Sequence, residues 1–219
     1  MTPELSAKME EYARLLLRRN EVMNLTGAAT VGEIMSRHIL DSLAVGRFLP
    51  RGGRVVDVGS GAGFPGLPLA AAMPDTEFVL LDAREKRVAF LEEARDALGL
   101  INVRCVFGRA EELALLPEWR EAFDAAVSRA VARLNTLSEL CVPLVKPGGV
   151  FVAMKAADCA EEAAEAAFAL RKLGAPEFSV ESYEADGVGY AAVVAKKSEM
   201  TPEGFPRRFS KIKKNPLQE

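Results

Sequence analysis

Residues 54–66 read RVVDVGSGAGFPG, and the fold follows from this stretch. Val55, Val56 and Val58 make a short β-branched run, suited to a strand buried on both faces of a parallel sheet. Gly59, Gly61 and Gly63 then strip side chains from the turn, which permits positive φ and close approach of a ligand to backbone. The next residues, GLPLAAAM (66–73), are apolar and helix-forming, with Pro65 and Pro68 tolerable in a first turn. Strand, glycine turn and helix N-terminus together make a seat for a nucleotide-like ligand. Free N–H groups and the positive end of the helix dipole are expected to face it.

C-terminal to this seat the pattern alternates. Strands are predicted at 77–82, 103–107, 123–128 and 150–154, each followed by a helix, at 84–98, 110–116, 133–143 and 159–173. Two last strands, 177–184 and 189–195, have no helix between them and suit an antiparallel edge. The expected fold is therefore α/β: a Rossmann-like, mostly parallel seven-stranded sheet with helices on both faces. N-terminal to the seat, Leu5, Met9, Tyr12, Ala13, Leu16 and Leu17 recur at helical spacing, and a second helix is predicted from Gly32 to Phe48. These are too short for a domain and read as a cap. The expected organisation is one compact domain: cap 1–52, core 53–197 and tail 198–219.

The chain of 219 residues is 49% hydrophobic with a formal charge of −3, so it is globular and has no global attraction for nucleic acid. Charge is segregated, however. Residues 196–219 hold seven Lys or Arg against three Glu, a local +4 that leaves −7 for the rest. Such a tail is either a frayed, solvated terminus or an RNA-binding element. Three unpatterned cysteines suggest a reducing compartment and no metal site. The N-terminus lacks a basic-then-apolar leader, and no uncharged apolar run nears the length of a membrane span. A soluble, monomeric cytoplasmic protein is expected.

Two ligands fit the glycines. GAGFPG (61–66) satisfies the dinucleotide fingerprint, whereas Gly59-Ser60-Gly61-Ala62-Gly63 is the G-x-G-x-G of S-adenosylmethionine-dependent enzymes. Asp82, ending the next strand, would hold ribose hydroxyls in either case. Asp57, just ahead of the first glycine, suits the cationic methionine portion of S-adenosylmethionine and would repel a pyrophosphate. The chain also has no room for a second domain to receive a hydride. S-adenosylmethionine is favoured, with an NAD-linked oxidoreductase as the alternative.

Several stretches carry a resemblance. NLTG (24–27), RHILDSL (37–43), DVGSGAGFPGLPLA (57–70), LLDAREKRVAFL (80–91), GRAEEL (108–113), FDAAVSRA (123–130) and the FPRR…KKNPL ending (205–217) resemble the RsmG (GidB) family in order and spacing. That resemblance implies a class I methyltransferase fold and methylation of guanine N7 in the decoding-centre hairpin of 16S rRNA. S-adenosylmethionine would be the donor, and 16S rRNA or the small ribosomal subunit the partner. It implies that Gly59, Ser60, Gly61 and Phe64 form the cofactor loop with Asp57 and Asp82, and that Ala110 and Glu111 line the adenine side. Arg129 would contact cofactor or substrate, with Arg109 as its basic neighbour. Where some members carry an arginine near the last strand, this chain has Tyr190.

Guanine N7 loses no proton when alkylated, so no general base is expected and Arg129 would act by positioning. His38 and Asp41 share one helical face and suit a structural hydrogen bond. Arg207, Arg208, Lys211, Lys213 and Lys214 are the electrostatic candidates for RNA. A non-catalytic RNA- or ribosome-binding module on the same fold is a further alternative.

Overall fold

The computed structural model describes residues 1–218. Seven strands, β1 (Arg54–Val58), β2 (Glu77–Asp82), β3 (Val103–Phe107), β4 (Phe123–Arg129), β5 (Val145–Ala156), β6 (Glu177–Ala185) and β7 (Val188–Lys196), form one sheet in the order β3-β2-β1-β4-β5-β7-β6. β1 to β5 pair parallel, and β7 runs antiparallel to both β5 and β6. Val55, Val56 and Val58 are buried as their β-branched run requires. From β1 the chain builds outward to β2 and β3, then crosses back to place β4 on the other side of β1. The strand order thus reverses at the β1/β4 boundary, where α/β sheets open a crevice beyond the carboxyl ends of their strands.

Helices cover both faces. One face carries α1 (Pro3–Met23), α2 (Val31–Ile34), α3 (Asp41–Ala44), α4 (Gly66–Ala72) and α5 (Glu85–Ala97), over a core that includes Tyr12, Ile39, Leu67, Phe78 and Phe90. The other carries α6 (Ala110–Leu113), α7 (Leu134–Cys141), α8 (Ala160–Glu165), α9 (Ala167–Lys172) and α10 (Phe209–Lys214), with Leu137, Phe151, Leu170 and Ile212 inside. The cap shares its apolar cluster with the sheet, so Met9, Tyr12 and Leu16 are wholly buried.

Two expectations need correction. The helix predicted over 32–48 is instead a broken rod: α2, a π-helical turn at Met35–Leu40, α3, and a 3-10 turn at Val45–Phe48. π-turns rotate the residues that follow them and recur at functional sites; here the turn carries His38 and leads into Asp41. The basic tail is not frayed either. Lys197 Nζ is fully buried against Glu121 at 2.7 Å and donates to Val142 O and Thr201 Oγ1. Burial pulls the Lys197 ammonium down to about 8. Arg120 donates to the carbonyls of Thr201 and Phe205, and Ile212 of α10 is fully buried. The tail is a strap latched across the α6–α9 face.

Candidate functional site

Sterics force the shape of the glycine turn. Gly59 has φ +76°, and a Cβ there would lie 2.4 Å from Val131 Cγ2. The turn's amides, expected to be free, are engaged within the protein. Gly59 and Ser60 both donate to Leu81 O (2.8 and 3.1 Å), Gly61 donates to Asp82 Oδ2 (2.9 Å), and Gly63 and Phe64 donate to Ser60 O. Ser60 and Ala62 are buried, with Ser60 Oγ donating to Asp57 O (3.0 Å), so what the turn offers a ligand is mainly glycine backbone, with Val131 packed beside Gly59.

Asp57 also departs from expectation. It is fully buried beneath the turn, where Oδ2 accepts from the Gly66 amide at the start of α4 (3.0 Å). Oδ1 has no hydrogen-bond partner among the described residues. Burial pushes this carboxyl up to about 7, against the pull of the Gly66 N–H. The carboxylate therefore serves α4 from inside, at the helix end where a pyrophosphate would have to sit.

Asp82 closes the β2 side. Its Oδ1 accepts from the Arg84 amide and Oδ2 from Gly61, both at 2.9 Å, with Arg87 Nη1 at 3.5 Å. Oδ1 keeps a second lone pair for a ribose hydroxyl, whereas Oδ2 already takes a second, longer bond from Arg87. The Asp82 carbonyl accepts from Gly108 N, bringing the β3 end alongside. Ala110 and Glu111 are buried there, and Arg109 lies 3.6 Å from Glu111 and 5.8 Å from the Phe209 ring of α10. A glycine turn whose Ser60 and Ala62 are buried, a carboxylate with spare acceptor capacity at Oδ1 and an apolar wall at Ala110 fit an adenosine-bearing ligand.

On the β4 side, Arg129 Nη1 donates to Asp41 Oδ2 at 2.9 Å, and the Tyr183 hydroxyl donates to Asp41 Oδ1 at 2.6 Å. The Arg129 guanidinium lies 4.9 Å from the Phe64 ring, which also packs against His38 (5.0 Å) and Tyr12 (5.4 Å). Tyr12 donates to Ala62 O, fastening the turn to α1. Ser128 donates to Val58 O (2.7 Å), joining β4 to β1. Ala130, at φ +57°, is in the left-handed region that disfavours a Cβ; it turns the chain so that Val131 meets Gly59.

His38 and Asp41 do not bond to each other as their spacing suggested. The π-turn sends His38 Nε2 to Thr26 Oγ1 (3.1 Å) and Asp41 to Arg129. Burial lowers the His38 pKa, favouring a neutral ring. Tyr183, Lys155 and the contact of the Tyr12 hydroxyl with the turn escaped sequence reasoning. Tyr183 sits in an edge strand with no motif around it, and only the rod crossing above gives it a partner.

The basic residues of the strap divide. Arg207 sits against Glu139, itself fully buried, through Nη2–Oε2 at 2.6 Å and Nε–Oε1 at 2.8 Å. It is a latch, which corrects its expected place on an RNA surface. Arg208, Lys211, Lys213 and Lys214 are exposed. A cavity of about 910 Å³ opens beside them between α7, α8, α9 and α10, bordered by Val131, Arg133, Phe168, Phe209 and Lys213. Among the described residues, no cluster of His, Cys, Asp or Glu could hold a metal ion and no helix could cross a membrane.

Comparison with known proteins agrees with this geometry. Residues 5–187 match the family model described as rRNA small subunit methyltransferase G. The chain is 39% identical to the ribosomal RNA small subunit methyltransferase G of Brevibacillus brevis, over 99% of this chain and 93% of that protein. Against the enzyme of the same name from Moorella thermoacetica it is 40% identical, over 100% and 92%. Among solved structures, the fold resembles M. jannaschii TYW2 in complex with AdoMet (TM-score 0.58, 18% identity, 72% of this chain and 74% of that one). It also resembles precorrin-6y C5,15-methyltransferase from Geobacter metallireducens (TM-score 0.52, 18% identity, 81% and 92%). The chain belongs to the rRNA small subunit methyltransferase G family and has the fold of S-adenosylmethionine-dependent methyltransferases.

Proposed function

We propose that this family member methylates N7 of one guanine in the decoding-centre hairpin of 16S rRNA, in the cytoplasm and as a monomer. The observation that carries the reading is the β1/β4 switch point, where the glycine turn after β1 has Asp82 one strand away on β2 and Arg129 one strand away on β4. S-adenosylmethionine, when bound, supplies the methyl group on a sulfonium. Gly59, Ser60 and Gly61 leave room for it, Asp82 accepts from its ribose hydroxyls, and Ala110 and Glu111 flank its adenine. Phe64 forms the floor between cofactor and cap. Asp57 holds the turn in shape from below, and because it already serves the α4 N-terminus, the dinucleotide alternative loses its pyrophosphate site.

The target nitrogen has an exposed lone pair, so alignment and electrostatics are what the protein must supply. Arg129 is held by Asp41, and Asp41 by Tyr183, so its guanidinium is preorganised at the rim. A guanidinium fork suits guanine O6 or a phosphate. Arg109, which lies beside Phe209 of α10, and the exposed Arg208, Lys211, Lys213 and Lys214 would take the RNA backbone. Cap, core and strap act as one unit, since the cap shares the sheet's apolar cluster and the strap is latched to the opposite face.

Incubating the protein with small subunits and labelled S-adenosylmethionine, then mapping methylated guanines, tests this reading. One labelled 16S guanine is expected. Labelled small molecules with unlabelled RNA would refute it, and unlabelled RNA with no donor turnover would favour a binding module. Arg129→Ala should lower transfer at least a hundredfold; a loss of folding matching the loss of rate would assign it a structural role instead.

A further inference from the structure

A cavity of about 310 Å³ lies between the carboxyl ends of β4 and β5 and the paired β6 and β7, lined by Asp41, Arg129, Met154, Lys155, Tyr183 and Tyr190. β4 neighbours β1 and β5 neighbours β4, so the cavity lies on the far side of the switch point from Asp82. Adjacent strands are spaced about 4.8 Å apart. A molecule seated there would adjoin one held over Gly59. The rings of Tyr183 and Tyr190 stack in its wall, 5.7 Å between centroids and 22° between planes. Both cations are already matched: Arg129 with Asp41 at 2.9 Å, and Lys155 with Glu162 at 2.8 Å. A phosphate needs unmatched positive charge, and the cations that line the cavity offer none. A flat, uncharged heterocycle finds aromatic faces, the apolar Met154 and oriented N–H donors.

We infer that this cavity receives the acceptor guanine, with Tyr190 packed on its face and Arg129 on its polar edge; the inference rests on the reaction proposed above. In the transfer the carbon–sulfur bond breaks and sulfur keeps the electron pair. The N7 lone pair forms the new carbon–nitrogen bond, and no proton leaves. Positive charge therefore passes from the donor into the purine. Tyrosine ring faces attract cations, so this wall holds the transition state more tightly than the neutral guanine.

Single-turnover transfer to small subunits by the wild type, Tyr190→Phe and Tyr190→Ala tests the assignment. The Phe variant, which keeps the ring, should stay within twofold, whereas the Ala variant should lose tenfold or more with an unchanged Kd for S-adenosylmethionine. An Ala variant as fast as wild type would overturn the inference. A second arm uses the wild-type protein, so folding of a variant does not enter. RNA with 6-thioguanosine in place of the methylated guanine is irradiated on the protein, and crosslinks are expected at Tyr183, Tyr190 or Met154. Crosslinks confined to α10 would overturn the inference. A wild type that binds S-adenosylmethionine but labels no RNA would sink the parent reaction and this inference together; the other failures sink this one alone.

Discussion

Arg207→Ala removes three side-chain hydrogen bonds, from Nε to both carboxylate oxygens and from Nη2 to Oε2, at 2.8, 3.1 and 2.6 Å. Only the Arg207 backbone amide would still reach Glu139, at 2.8 Å. Glu139 has no exposed surface, so its charge is left in the protein interior without a counter-ion. Breaking a buried pair in this way costs about 3–5 kcal/mol. For a chain of this length each kcal/mol moves Tm by roughly 2–4 °C, so the midpoint should fall by roughly 6–20 °C. The loss has a ceiling, because the strap can detach and let water reach Glu139. Detachment forfeits the burial of Ile212, about 1.5–3 kcal/mol, and the protein then melts with its strap already open. Thermal denaturation measures the shift, and limited chymotryptic cleavage at Phe209 reports the opening. Pairing Arg207→Met with Glu139→Leu, which removes both charges, should restore most of the midpoint. An Arg207→Ala protein that melts within a degree of wild type, yet binds RNA with a shallower salt dependence, would refute the latch and return Arg207 to the RNA surface.

Three further outcomes are expected. Asp57 ionises near 7 in the folded protein against 3.8 as a free side chain, so the folded state holds its proton more tightly and stability falls as pH rises from about 4 through 7. At about 1.4 kcal/mol per unit the effect is on the order of 4 kcal/mol. Urea denaturation at pH 5 and pH 8 should show about 2.7 kcal/mol of that loss in the wild type and little of it in Asp57→Asn; parallel losses would contradict the assignment. Gly59→Ala sets a Cβ at φ +76° and against Val131, so titration calorimetry should find S-adenosylmethionine affinity reduced at least tenfold, and an unchanged Kd would place the cofactor elsewhere. Replacing the exposed Lys211, Lys213 and Lys214 with alanine should leave Tm in place and flatten the salt dependence of RNA binding by about two units of log–log slope; an unaltered slope would take α10 out of the RNA interface.

The seven strands were legible because their signals are local. A β-branched run, a glycine turn and a strand-then-helix rhythm are set by neighbours in sequence, and a mostly parallel sheet with an antiparallel edge follows from which strands have helices between them. The turn's location and Asp82 at the end of β2 were readable for the same reason. The partners of the site residues were not. Free amides were expected at the turn because it is rich in glycine, but backbone donors find acceptors wherever the fold brings them, and here those were Leu81, Asp82 and Ser60. Helical spacing put His38 and Asp41 on one face, and a single π-turn separated their targets.

By itself, then, the amino-acid order determined the sheet, the position of the crevice and the chemistry it could accommodate. Tertiary structure alone decided that Asp57 turns inward, that Arg207 is a latch, and that Arg129, Asp41 and Tyr183 form one network. The physical reason is separation along the chain: those contacts span 68 residues from Arg207 to Glu139, 88 from Arg129 to Asp41 and 142 from Tyr183 to Asp41. No periodicity reaches that far, and a charged side chain in an exposed-looking stretch takes its partner only once packing has brought one within 3 Å.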